Sequence, residues 1–193
     1  MKNKMKTNVG YKSLLMMFAL VGLSLTSCDN KDDGTPVPVK TDDVNGIYSG
    51  KVTTTQGTAK NEATISFTAN KNVITFDELP VKEIVQSVVK DAAKAEAALK
   101  TIGKVKYELN YTPALNKAKT AIELTFAPKT LEIKVPVDGA TKNVVVTFSS
   151  PQKGVYKSKT LKFDLTADKI TSDGAAVTPY TAVKYSFPNF LKK

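Results

Sequence analysis

Leu131-Glu132-Ile133-Lys134-Val135-Pro136-Val137-Asp138-Gly139 decides the fold. Leu131, Ile133, Val135 and Val137 face one way and Glu132 and Lys134 the other. A period of two is that of a strand with one buried face. Asp138-Gly139 is a two-residue hairpin signal, and Val144, Val146 and Phe148 return from it in the same alternation. An apolar stripe on each strand and a tight turn between them make an antiparallel pair.

The pattern repeats outward in both directions. Upstream, Ile122, Leu124 and Phe126 oppose Glu123 and Thr125. Before them, Val105, Tyr107, Leu109 and Tyr111 oppose Lys106, Glu108 and Asn110. Downstream come Val155-Tyr156, then Leu161, Phe163 and Leu165, then Thr181, Val183, Tyr185 and Phe187. Gly46-Ile47-Tyr48-Ser49-Gly50-Lys51-Val52-Thr53 opens the body as a strand. Ala63, Ile65, Phe67 and Ala69 form a second, the cluster Asn70-Lys71-Asn72 a turn, and Val73 to Phe76 a third.

One segment breaks the alternation. Val81, Ile84, Val85, Val88, Ala92, Ala95, Leu99 and Ile102 follow helical spacing. Pro80 suits a first helical position, Asp77 and Glu78 suit the positive N-terminal end, and Gly103 suits the residue after the last turn. The spacing predicts one long amphipathic helix of about 30 Å. The expected fold class is therefore mainly β (α+β). It is an antiparallel sheet curled as a barrel or a sandwich, lipocalin-like at most, with one long helix inserted after the third strand.

Ahead of this body stands an address. Lys2, Lys4, Lys6 and Lys12 precede the apolar run Ser13 to Leu25, which is shorter than the about 20 residues a membrane span needs. Leu25-Thr26-Ser27-Cys28 resembles the bacterial lipoprotein lipobox, with a small Ser27 where Gly or Ala is usual. That resemblance implies a lipid on Cys28 and removal of residues 1–27. Lys31, Asp32 and Asp33 resemble the lysine-and-acid export signal of Bacteroidota surface lipoproteins. The implied location is the cell outer membrane, lipid-anchored and exposed at the surface. Residues 28–45 read as lipidated cysteine and tether, and residues 46–193 as a single β-rich domain.

Composition narrows the chemistry. The net charge is +10, and loss of the leader's four lysines brings it to +6. All 28 basic residues are lysine, and the missing arginine fork weighs against reading guanine edges or phosphates; no nucleic-acid partner is expected. With no histidine and one cysteine, His-based triads, Cys–His pairs and His- or Cys-ligated zinc are out of reach. No cofactor and no metal are expected.

Carboxylates remain. Glu108, Glu123 and Glu132 lie on three consecutive strands, and two acids across a cleft can cleave a glycosidic bond. All three share the polar face with Lys106 and Lys134, where cross-strand charge pairing is the ordinary use. Asp77 and Glu78 are a second candidate pair, better used at the helix end. No enzymatic activity is expected. Tyr48, Tyr107, Tyr111 and Tyr185 are the candidate lining of a ligand cavity inside the sheet, with a packed core as the competing outcome.

The lipobox, the acidic tether, the Gly46 to Thr53 opening strand and the helix after the third strand together resemble domain of unknown function 4840. The resemblance implies a small envelope lipoprotein and carries over no catalytic residue. A lipid-anchored binder of a small apolar or amphipathic ligand is the expectation. The alternative is an accessory subunit docked on an outer-membrane protein.

Overall fold

The computed structural model describes residues 38–193; Cys28, Lys31, Asp32 and Asp33 lie outside them. A 3-10 turn, Thr41–Val44, precedes β1 (Gly46–Gln56), β2 (Ala59–Asn70) and β3 (Val73–Phe76). Helices α1 (Lys82–Val88) and α2 (Ala92–Ile102) follow, then β4 (Tyr107–Leu115), β5 (Ile122–Pro128), β6 (Leu131–Val137) and β7 (Ala140–Ser149). The chain ends with β8 (Gly154–Lys157), β9 (Thr160–Ser172), β10 (Ala175–Ala176) and β11 (Val183–Lys192).

Eight of these strands close an antiparallel barrel in the order β1-β2-β3-β4-β5-β8-β9-β11, with β11 pairing back to β1. The choice between barrel and sandwich is settled for the barrel. Closure needs strands that bend, and a bulge in β11 supplies it where that strand crosses β1. One extra residue of β11 lies between Ser186 and Leu191 as it pairs with β1, and between Phe187 and Phe190 as it pairs with β9. Gly50 sits at that crossing, where a Cβ would come within 2.7 Å of the Asn189 carbonyl oxygen and 3.0 Å of the Phe190 ring. A side chain would have to push backbone aside, so the position requires glycine.

β9 is longer than the barrel wall. Its first half pairs with β8 and β11, and its second half runs on to pair with β7 and β10. The β6–β7 hairpin therefore stands on an overhang of β9, and α2 packs against β6. Asp138 and Gly139 turn that hairpin with positive φ at both residues, as the sequence predicts.

Inward-facing positions are apolar and outward ones polar, the reverse of a membrane-spanning barrel. The interior is filled by rings. Phe163 and Phe187 stack 4.2 Å apart between centroids, Phe67 stacks on Phe190 at 5.0 Å, and Tyr48 on Phe67 at 5.3 Å. Contacts of this kind add to the area that each ring removes from water.

The helical segment differs from the sequence expectation. It is two helices rather than one long helix, because Val89 is extended and the Asp91 side chain accepts a 2.9 Å bond from the Lys94 N–H, capping a fresh start. The apolar spacing runs through the break in phase, which is why periodicity alone joins the two. The first helix also begins later than Pro80 suggests. The Leu79 N–H bonds the Val105 carbonyl at 2.8 Å, which extends the β3–β4 ladder past Phe76 and delays the helix to Lys82. Gly103 does end α2, with φ of 68°.

Candidate functional site

The barrel has two different ends. At one, α1 lies across the opening: the Tyr185 hydroxyl donates to the Pro80 carbonyl at 2.9 Å, and Asn61 Nδ2 donates to Glu83 Oε1 at 2.9 Å. Gln56 Nε2 donates to Ser87 Oγ, and that hydroxyl donates to the Glu83 carbonyl. At the other end the 3-10 turn closes the barrel. Val44 is fully buried there, and its carbonyl accepts the Tyr48 hydroxyl at 2.5 Å. Thr41–Val44, expected in the tether, thus contribute to the core.

The four tyrosines point inward, as their alternation predicts, and their rings are part of the packed interior. Tyr48, Tyr107 and Tyr185 each donate a hydroxyl proton to a backbone carbonyl, from Val44, Lys129 and Pro80 respectively. Burial pushes the pKa of each of these three, and of Tyr111, above the usual tyrosine value. Tyr48 and Tyr185 thus anchor the wall to its two caps, and Tyr107 anchors it to the β5–β6 connection.

A cleft opens outside the wall. β2 runs twelve residues and β3 only four, so β3 pairs with Phe67 to Asn70 and leaves the rest of β2 behind. Among the described residues, Ala59 to Ser66 have a strand partner, β1, on one edge alone. Where β3 would have continued, the chain swings away into the helices and leaves a cleft of about 590 Å³. Ala63, Thr64, Ile65 and Ser66 form one wall, four consecutive residues, so the strand presents its backbone edge as well as its side chains. Leu79, Val81 and Leu99 supply apolar surface opposite.

The rim is charged and internally matched. Lys104 Nζ lies 3.1 Å from Glu78 Oε2, and Lys82 Nζ lies 2.6 Å from Glu96 Oε1. The hydrogen bond and charge of Glu96 raise the Lys82 pKa, and Lys82 lowers that of Glu96. Asp77 completes the rim. Glu78 thus serves an ion pair with Lys104, four residues ahead of α1, instead of the helix end expected of it.

The remaining acids are dispersed. Glu108 sits 3.5 Å from Lys129 and Glu123 sits 2.7 Å from Lys153, both on the outer face. Glu132 is exposed on β6. Glu83 is different, being only 3% exposed, with Oε2 lacking a hydrogen-bond partner among the described residues. Helical spacing marks Glu83 only as a polar residue beside Ile84. The cleft residues also escape a reading by pattern, although the unequal lengths of the second and third strands are its sequence signal.

The family model described as Domain of unknown function (DUF4840) matches residues 43–172. The chain belongs to the DUF4840 family. In this member the matched span begins at the 3-10 turn, holds both cleft walls, and stops at the end of β9, before the β11 strand that closes the barrel. No curated protein and no solved structure matches the DUF4840 chain.

Proposed function

We propose that this DUF4840 protein is a lipid-anchored, non-catalytic protein of the cell envelope that binds an amphipathic ligand in the cleft between β2 and the helical excursion. Anchoring is read from Leu25-Thr26-Ser27-Cys28, and sorting to the surface of a Bacteroidota outer membrane from Lys31, Asp32 and Asp33. The observation that supports the binding reading most is the cleft itself. Its about 590 Å³ falls in the range of small-molecule sites, and apolar walls under a charged rim suit a ligand with both characters. The absence of catalysis is inferred from Glu108 and Glu123, each spent on a neighbouring lysine.

Native mass spectrometry of the acylated protein, extracted gently from its own membranes, tests this reading. A companion mass beyond the acyl chains is expected, and Ile65→Lys and Leu99→Lys should each remove it. Retention of the companion by both variants would move the site elsewhere.

The free edge of β2 favours a second reading, in which an extended segment of an outer-membrane protein adds to the sheet there. That reading expects a protein companion in the same spectrum. It also expects Thr64→Pro, which removes an edge N–H, to release that companion.

A further inference from the structure

We infer that the end of the barrel closed by the 3-10 turn rests on an anionic lipid surface. The inference deepens the proposed function and rests on its lipid anchor. It begins with exposed apolar side chains. Among the described residues, three large ones are exposed: Ile47 at 52%, Leu115 at 40% and Leu191 at 60%. Scattered over a surface they would be ordinary. They are not scattered. Ile47 opens β1, Leu191 closes β11, and Leu115 ends β4, and the strand directions place all three at the same end. Ile47 and Leu191 are near neighbours: Ser49 pairs with Leu191 and the Lys193 N–H bonds the Ile47 carbonyl.

Charge at this end has one dominant sign. The three turns here carry Lys71, then Lys117 and Lys119, then Lys157 and Lys159, all exposed. None of the five is ion-paired among the described residues, whereas nine ion pairs join other described residues. Asp42, Asp43 and Glu123 are the acids at this end; Asp43 accepts from the Lys40 N–H, and Glu123 is paired with Lys153. Apolar side chains ringed by unpaired lysines match an interface of acyl chains below and anionic headgroups around.

Chain direction supplies the occupant. The described residues begin at Pro38, immediately before the 3-10 turn, so the segment that leads back to Cys28 leaves from this end. A lipid on Cys28 would tether the chain through a segment that joins the body at the end carrying the apolar patch.

The chain has no tryptophan, so a single introduced one reports cleanly. The acylated full chain carrying Leu191→Trp is reconstituted on vesicles of equal parts phosphatidylcholine and phosphatidylglycerol with brominated acyl chains. A Thr58→Trp chain, labelled in the β1–β2 turn at the opposite end, is the comparison. The expected result is a blue-shifted, bromine-quenched emission for Leu191→Trp and an unshifted one for Thr58→Trp. Adding Lys117→Glu and Lys119→Glu should lower the bromine quenching of Leu191→Trp, since each lysine near an anionic surface contributes to attraction.

An acylated, vesicle-bound chain with both reporters wet overturns the inference and leaves the anchor reading standing. A chain whose mass shows no acyl group overturns the anchor reading. The same vesicles then decide the patch on the unmodified protein, quenching supporting it and none overturning it. A blue shift that grows with protein concentration without vesicles overturns the inference in favour of a second copy of the chain.

Discussion

The two ends of the barrel are built on opposite plans. One end has three short connections, both ends of the described residues and the 3-10 turn; the other holds every long excursion among them. The helices, the β6–β7 hairpin and the β9 overhang all leave from the second. Polar contacts divide the same way. A seam of Gln56, Asn61, Glu83 and Ser87 holds α1 across one opening, while the Tyr48 hydroxyl and Lys192 Nζ tie the 3-10 turn to the other. A short turn can be held by few contacts, whereas a helix crossing an opening must satisfy its own polar face. The elaborate end carries the cleft, and the plain end carries the exposed apolar residues.

The largest effect should come from alkali, which attacks both ends together. The six tyrosines of the described residues divide evenly, with Tyr48, Tyr111 and Tyr156 toward the plain end and Tyr107, Tyr180 and Tyr185 toward the elaborate one. Burial raises the pKa of all six, that of Tyr180 to about 12. A raised folded value means that the unfolded chain loses its protons first. Stability is therefore complete below about pH 10 and falls as pH rises from there through the folded values. Tyrosinate absorbance at 295 nm should appear in one step with loss of structure. Two steps would mean that the ends open separately.

Single substitutions sharpen the contrast. Ile84→Ala, in the fully buried face of α1, should cost about 2–5 kcal/mol in urea unfolding. Val44→Ala, at the plain end, should cost about 2 kcal/mol, because fewer methyl groups leave the core. Equal losses would contradict the difference in plan. Asn61→Ala removes the donor to Glu83 and leaves both carboxylate oxygens without a side-chain partner in the seam. A loss of about 1–3 kcal/mol is expected, much of it recovered when Glu83→Gln is added, because the amide removes the buried charge. No change on Asn61→Ala would mean that the seam does not hold the helix.

Smaller effects follow. Asp91→Ala should cost about 1 kcal/mol through the lost cap of α2, with more rapid hydrogen exchange confined to that helix. Leu115→Ser, on the exposed patch, should change stability by less than about 1 kcal/mol, since the residue is 40% exposed. A larger loss would make the patch part of the fold instead of a surface.

Much of this architecture is legible in the chain. Period-two runs locate the long strands, Asp138-Gly139 fixes a turn, and Gly103 stops a helix at the expected place. β10 went unseen although Asp173-Gly174 carries the same turn chemistry, because two residues are too few to show a period. The turn at Ser158-Lys159 has positive φ at both residues without a glycine to announce it. The break between α1 and α2 rests on one capping aspartate set inside an unbroken apolar rhythm.

By itself the sequence determined which residues face inward, since alternation is a property of single strands. It also determined that the body has no histidine and no cysteine. Only the tertiary structure decided that the strands close on one another, because closure depends on a bulge in β11 at Asn189 meeting Gly50 of β1 from a distant part of the chain. It alone placed Ile47, Leu115 and Leu191 at one end and opened the cleft beside Ile65. Both depend on which strand ends meet which, and strand order is set by long-range pairing that no local pattern encodes.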